Sequence, residues 1–211
     1  MKFKKVILVS ATPLEHGGMT DLFGYPIYQV GIGKTNSAMN LTELIIRHKP
    51  DLVVNFGSCG NLKDYKVGEV IEVGTTYNNI DVRPFAEYGC TPENNKCEIK
   101  LSDSGVKCFS TDQIYDNSRT DYADKYLEMI GKCDIVDMEC YPLAYVCQNY
   151  GVELKSYKWV SDDGDVDKWE DNAAVGFNNF KDEFKQFEKI IKFNNVFRDK
   201  KNHPYFIYPR K

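Results

Sequence analysis

Lys158-Trp159-Val160-Ser161-Asp162-Asp163-Gly164-Asp165 is an apolar strand that runs straight into a cluster of carboxylates. In an α/β protein the carboxyl end of a strand is where ligands bind, so an acid at that point is a candidate for chemistry. Asp162, the first of the cluster, is that candidate. The competing reading is a solvated turn, because Ser, Asp and Gly all favour turns. What the rest of the chain sets beside this stretch separates the two.

Immediately upstream, Ile135-Val136-Asp137-Met138-Glu139 is a strand end that enters an apolar helix reaching Cys147. An acid at such a junction either complements the helix N-terminus or touches a ligand. Further upstream the same arrangement recurs. Leu52-Val53-Val54-Asn55-Phe56 is an apolar strand expected to break into the turn Gly57-Ser58-Cys59-Gly60-Asn61. Gly24 to Val30 is another strand, and Gly31-Ile32-Gly33-Lys34 after it opens a helix expected over Thr35 to His48, which Pro50 stops. Two glycines before a helix let backbone N–H groups approach an anion or sugar hydroxyls, although this is neither a full dinucleotide fingerprint nor a Walker loop.

Lys5 to Ser10 is a short β-branched run, the pattern of a strand buried on both faces. Ala11-Thr12-Pro13-Leu14-Glu15 turns away from its carboxyl end, so Glu15 reaches the rim of Asp162 if the two strands are parallel in one sheet. A plain first-turn helix acid after Pro13 is the equal alternative. Val67 to Val73 and Lys107 to Thr111 read as further strands, Tyr77 to Tyr88 as an irregular excursion, and Asn178 to Phe193 as an amphipathic helix with Phe180, Phe184, Phe187 and Ile191 on its apolar stripe. The expected fold is therefore a single α/β domain with a central sheet flanked by helices. Its span is residues 1–195, with 196–211 as a basic, aromatic C-terminal tail.

Composition narrows the function. A chain of 211 residues with 42% hydrophobic and 27% charged residues can bury a full core. Its net charge of −4 argues against nucleic acid, which requires a basic surface, and the expected partner is a small molecule. No apolar run approaches the roughly 18 residues of a membrane span, and Met1 to Lys5 leads into a strand and not a signal core, so the expected setting is cytoplasmic. The 7 cysteines lie mostly in apolar segments and read as reduced, buried thiols. They form no CxxC pair, and His16, His48 and His203 are scattered, so neither a metal nor a cofactor is expected.

Taken together, Val30-Gly31-Ile32-Gly33-Lys34, Asn55-Phe56-Gly57-Ser58-Cys59-Gly60, Val136-Asp137-Met138-Glu139 and Val160-Ser161-Asp162 resemble, in order, the signature segments of the purine nucleoside phosphorylase and nucleosidase superfamily. Within it the chain is most similar to the 5′-methylthioadenosine/S-adenosylhomocysteine nucleosidases. The resemblance implies a mixed central sheet, a homodimer, and hydrolysis of an N-glycosidic bond without cofactor. It implies that Asp162 is the acid that protonates N7 of the leaving purine. Met138 and Glu139 hold the ribose, Glu15 positions the attacking water, and Ser58 and Gly57 line the same pocket. Ile114 and Tyr115 fall at the base-stacking positions, and Phe85 falls where a neighbouring subunit lends an apolar side chain. Lys158 stands where the nucleosidases carry an arginine, which keeps the charge but loses the planar fork. The segment between Glu15 and Gly31 is also short, Asn61 replaces a glycine, and Ile114 replaces an aromatic stacker. These departures bear on the substrate more than on the reaction.

The reaction is also sensible on chemical grounds alone. A poor leaving group needs a proton, a cationic sugar needs stabilisation, and water must be held on the far face, which requires carboxylates around one pocket. Three alternatives remain: a phosphorylase, which would use phosphate and fixed cations, a futalosine-type hydrolase, and a nucleoside-binding protein without catalysis.

Overall fold

β1 (Val6–Ser10) is buried at every position. It lies parallel to β3 (Tyr25–Gln29) on one side and to β4 (Leu52–Asn61) on the other. The computed structural model describes residues 5–201. Beyond β4 the sheet continues through β8 (Ile135–Asp137), β7 (Val106–Ser110), β5 (Val70–Asn78) and β6 (Glu98–Lys100), while β2 (Asp21–Leu22) pairs antiparallel with β3 at the opposite edge. β9 (Glu153–Asp162), the strand that ends on Asp162, runs parallel to β4 and antiparallel to β5. The pairings β4 to β8, β8 to β7, β7 to β5, β5 to β9 and β9 to β4 therefore close a ring. A parallel wing of β1 and β3 extends from it. This is the expected mixed sheet, curled on itself.

Strand alternation sorts the core into two layers. Val6 and Leu8 join Leu52, Val54, Phe56 and Trp159 under Phe177, Phe180, Phe184 and Ile191 of α5 (Phe177–Lys201). Ile7 and Val9 point the other way, with Val53 and Leu154, against Leu41 and Ile45 of α1 (Lys34–His48) and Leu143 and Ala144 of α3 (Cys140–Tyr150). The phenylalanine stripe of α5 is thus core packing. The helix crosses the domain boundary expected at residue 195, and the remainder of the tail, from 202, lies outside the described residues.

Two local expectations are corrected. β4 does not break at Gly57 but stays extended to Asn61, because β9 and β8 supply hydrogen-bonding partners along the glycine-rich stretch. Cys90 and Cys97 are not free thiols: the excursion after β5 brings them together as a disulfide with a Cα separation of 4.6 Å, while Cys59, Cys108, Cys133, Cys140 and Cys147 are buried and free. Two short helices lie outside the expected elements: α2 (Asp124–Lys132), whose Tyr126, Met129 and Ile130 at helical spacing pack beside Tyr77 and Phe109, and α4 (Asp167–Asn172), which has no buried residue and no side-chain cap.

Candidate active site

The parallel strands β1, β4 and β9 all deliver their carboxyl ends to one pocket, where an α/β sheet binds its ligands. Asp162 ends β9. A bulge in the β4–β9 ladder puts Cys59 opposite Val160 but Gly60 opposite Asp162, a device that re-aims a side chain at a strand end. The carboxylate is buried, with Oδ1 accepting from the backbone N–H of Gly164 at 3.0 Å and Oδ2 lying 2.7 Å from Ser161 Oγ. Burial, assisted by the charges of Asp163 and Asp165, outweighs these bonds and raises its pKa. Asp163 is exposed and faces Lys168.

Glu15 closes a single 3₁₀ turn, Pro13–Glu15, capped by Thr12. Its Oε1 accepts from the N–H and the hydroxyl of Ser58, at 2.8 and 3.1 Å, and its Oε2 from the N–H groups of Ala11 and Thr12, at 3.1 and 3.4 Å. The direction of the Ser58 hydroxyl is fixed: Trp169 Nε1 donates to it at 3.1 Å, and because an indole N–H can only donate, the hydroxyl proton goes to Glu15. Gly57 makes the approach possible, since a Cβ there would stand 2.5 Å from Glu15 Oε1. Burial still raises the pKa of Glu15, against the pull of Lys158 and Ser58.

Glu139 sits between β8 and α3 and accepts from the backbone N–H of Gly33 at 3.0 Å, so the N-terminus of α1 points at it. Lys158 lies behind it, 1% exposed at its side chain, 2.8 Å from Asp137 and 3.6 Å from Glu139. Burial is the largest influence on Glu139 and pushes its pKa up to about 7, Lys158 opposing and the charges of Asp137 and Glu15 adding. Asp137 is the opposite case: burial works against its charge, but the Lys158 ammonium and the Ser110 hydroxyl hold it below the ordinary carboxylate range. Cys108, Asp137 and Cys140 bring potential metal ligands within 4.8 Å of one another, yet the charge that Asp137 requires is already supplied by Lys158.

Of the residues named from the sequence, Asp162, Glu15, Glu139, Met138, Ser58, Ile114 and Tyr115 line this pocket. The loop carrying Ile114 and Tyr115 is tied to the Asp162 turn by two bonds from Asn117, to Gly164 and Asp163. Lys158 and Gly57 stand behind the wall and do not line it. Phe85 is 82% exposed and away from its own chain's pocket. Sequence reasoning did not name Trp169, Thr12, Ile32, Thr111, Gln113 or Val166, which also line it. Ile32, inside the Gly31–Gly33 segment, and Thr12, inside the Ala11–Glu15 turn, carry a positional signal; Trp169 arrives on a short helix with no periodicity to read.

Among known proteins, the profile of the Phosphorylase superfamily matches residues 24–189. A 5′-methylthioadenosine/S-adenosylhomocysteine nucleosidase of Haemophilus influenzae is 31% identical over 175 residues, 73% of this chain and 72% of the relative. One of an Exiguobacterium species is 28% identical over 172 residues, with the same shares covered. In three dimensions the chain is similar to the Neisseria meningitidis nucleosidase solved with methylthio-immucillin-A, with a TM-score of 0.70, 20% identity, and 84% of this chain and 95% of that one covered. It is similar also to the futalosine hydrolase of Helicobacter pylori, with a TM-score of 0.69, 20% identity, and 86% and 97% covered.

Proposed function

We propose that this chain, which belongs to the phosphorylase superfamily, hydrolyses the N-glycosidic bond of a purine nucleoside of the 5′-methylthioadenosine or S-adenosylhomocysteine kind. The observation that carries the reading is one pocket walled by the buried carboxylates Asp162, Glu139 and Glu15, each differently hydrogen-bonded. Asp162, whose raised pKa favours the protonated form, gives its proton to N7 and makes the base a better leaving group. Glu139, with acceptor capacity to spare, takes the ribose hydroxyls and places negative charge near the developing sugar cation. Glu15 and Ser58 hold the attacking water on the other face. Met138 packs against the sugar, and Ile114 and Tyr115 wall the base.

Water is favoured over phosphate by the charge distribution. No lysine or arginine of the described residues lines the pocket; Arg47, Arg83 and Arg119 are each paired with an acid at the surface, and Lys158 is held by Asp137. A binder without catalysis has no need of a buried acid with a raised pKa beside the base. The pocket mouth, beside Ile32 and Ile114 at 44% and 57% exposure, admits a larger 5′ group, and this supports a second reading as a futalosine-type hydrolase. The reading includes a homodimer, supported by the exposed Phe85. It also includes a cytoplasmic setting, supported by the buried free thiols and opposed by the Cys90–Cys97 bond.

Incubation with a panel of nucleosides, with and without phosphate, tests all of this. Free base and reducing sugar at a rate indifferent to phosphate is the expected result. A sugar phosphate formed only when phosphate is present would establish phosphorolysis instead.

A further inference from the structure

Around Lys158 the buried carboxylates Asp137, Glu139 and Glu15 compete for one buried cation. Distance decides how it is divided. Lys158 Nζ is 2.8 Å from Asp137 Oδ2, a direct hydrogen-bonded ion pair, and 3.6 Å from Glu139 Oε2, beyond a direct hydrogen bond. Asp137 is built to keep it: Oδ1 accepts from Ser110 Oγ at 2.6 Å and from Cys108 Sγ at 3.3 Å, and Oδ2 from the backbone N–H of Cys140 at 2.8 Å. With the ammonium added, both oxygens are used up. Glu139, by contrast, accepts from Gly33 alone among the described residues.

We propose that Asp137 is a positioning residue: by holding the Lys158 ammonium back, it keeps the acceptors of Glu139 for the hydroxyls of the substrate's sugar. The proposal rests on the nucleosidase reading of the site. An ammonium on a flexible stem is a mobile point charge with three donors, so a Lys158 deprived of Asp137 turns to the nearest remaining carboxylate and occupies it. That carboxylate is Glu139. The other groups facing Glu139 are Glu15, from the turn after β1, and the backbone at the N-terminus of α1, and neither is altered by substitution at Asp137.

The test reads Glu139 without turnover. The full chain, ¹³C-labelled at glutamate side chains, is titrated by carboxyl NMR from about pH 5 to about pH 9, with Glu139→Gln to assign the resonance. Wild-type Glu139 is expected to titrate near neutrality. In Asp137→Asn its midpoint is expected about one unit or more lower, because the carboxylate charge that raised it is gone and the ammonium now sits on it. Ser110→Ala, which removes one bond that fixes Asp137 but keeps its charge, isolates the movement of the ammonium and should lower the midpoint by less. An unmoved midpoint in folded Asp137→Asn or in Ser110→Ala overturns the proposal, as does a wild-type Glu139 that stays ionised throughout, a result that requires no variant of Asp137 to fold.

In steady state, Asp137→Asn is expected to raise KM for a riboside by about tenfold with a smaller change in kcat, because uniform binding of the sugar is what is lost. A lowered melting temperature with KM and midpoint unchanged is the signature of a purely structural Asp137, and counts against us. Absence of nucleoside cleavage by the wild-type protein would sink the nucleosidase reading, while the titration still decides how Lys158 is shared.

Discussion

Glu15 and Glu139 are both buried, both in one pocket, and held in opposite ways. Glu15 accepts four hydrogen bonds from the chain itself, through Ala11, Thr12 and both groups of Ser58, whereas Glu139 accepts one, from Gly33. An ionised carboxylate has room for about four such bonds. The fold has therefore nearly saturated Glu15, leaving only the long bond from Thr12 to be displaced by water, and has left Glu139 to be completed by a ligand. Donors supplied by the chain measure rigidity, and donors withheld measure what the substrate must bring. Asp162, with Gly164 and Ser161 as its partners, stands between the two.

The largest effect is expected at that intermediate residue. Asp162→Asn keeps the shape and can still be held by Gly164, but it cannot deliver the proton, so kcat should fall by about 10²-fold or more with ligand affinity largely retained. Asp163→Asn is the control, since Asp163 is exposed and outside the pocket lining, and should turn over normally. Inhibitor binding by calorimetry beside turnover makes the check. Near wild-type turnover in Asp162→Asn removes it from the mechanism and leaves the contrast between the other two acids without a reaction to serve.

Next in size are the paired substitutions that exploit the contrast directly. Glu139→Gln is expected to lose most activity on ribosides, and wild-type protein should prefer a riboside to its 2′-deoxy analogue, because a buried acceptor would otherwise go unpaired. Its stability should move the other way. The pKa of Glu139 is raised from an ordinary 4.5 to about 7 in the fold, so the folded state holds this proton more tightly than the unfolded chain. The stability it contributes is full below about 4.5 and is lost as pH rises through about 7. Glu139→Gln, which never ionises, should therefore melt several degrees higher than wild type near pH 8 and close to it near pH 5. For the same reason wild-type kcat/KM should fall on the acid side of about 7, where Glu139 takes up its proton and loses acceptor capacity.

Glu15→Gln should give the reverse sign in stability: burial raises the pKa of Glu15 as well, but the four bonds its carboxylate accepts outweigh the relief of that charge. Its amide nitrogen must face two N–H or O–H donors in a buried site, at a cost of about 1–3 kcal/mol for each group left unsatisfied. A melting temperature below wild type is expected across neutral pH, together with lost turnover. Equal thermal behaviour of Glu15→Gln and Glu139→Gln would break the comparison.

The contrast also explains what could be read from sequence. Strands buried on both faces announce themselves by unbroken β-branched runs such as Val6 to Val9, and acids at strand ends can be recognised by position, as Asp162 and Glu139 were. Hydrogen-bond saturation leaves no trace in sequence. Nothing in the letters around Glu15 says that Ser58, 43 residues away, gives it two bonds, or that Trp169 fixes the direction of one of them. Glycine misleads in one place: Gly57 and Gly60 suggest a turn but belong to a strand, in which a Cβ at Gly57 would collide with Glu15 and one at Gly60 with Val136. The Cys90–Cys97 bond was missed because a separation of 7 carries no signature until the excursion folds back.

The smallest effect is expected where the chain leaves a large apolar group with no partner of its own. Phe85 lies 82% exposed on the excursion after β5, with Ile80 and Val82 only partly covered nearby. A side chain so exposed contributes little to its own core, so Phe85→Ala should leave the melting temperature near wild type, where truncation of a core phenylalanine would cost about 3–5 kcal/mol. If a second copy of the chain seats Phe85 against the mouth by Ile32 and Ile114, the truncation removes apolar contact with the substrate's 5′ end and raises KM a few-fold with kcat held. The effect should grow with the apolar size of the 5′ substituent, since a smaller group loses less buried area. Sedimentation at assay concentration completes the measurement: a wild-type protein that runs as a monomer, or a KM that Phe85→Ala leaves unmoved for every 5′ group, means that each pocket is finished by its own chain.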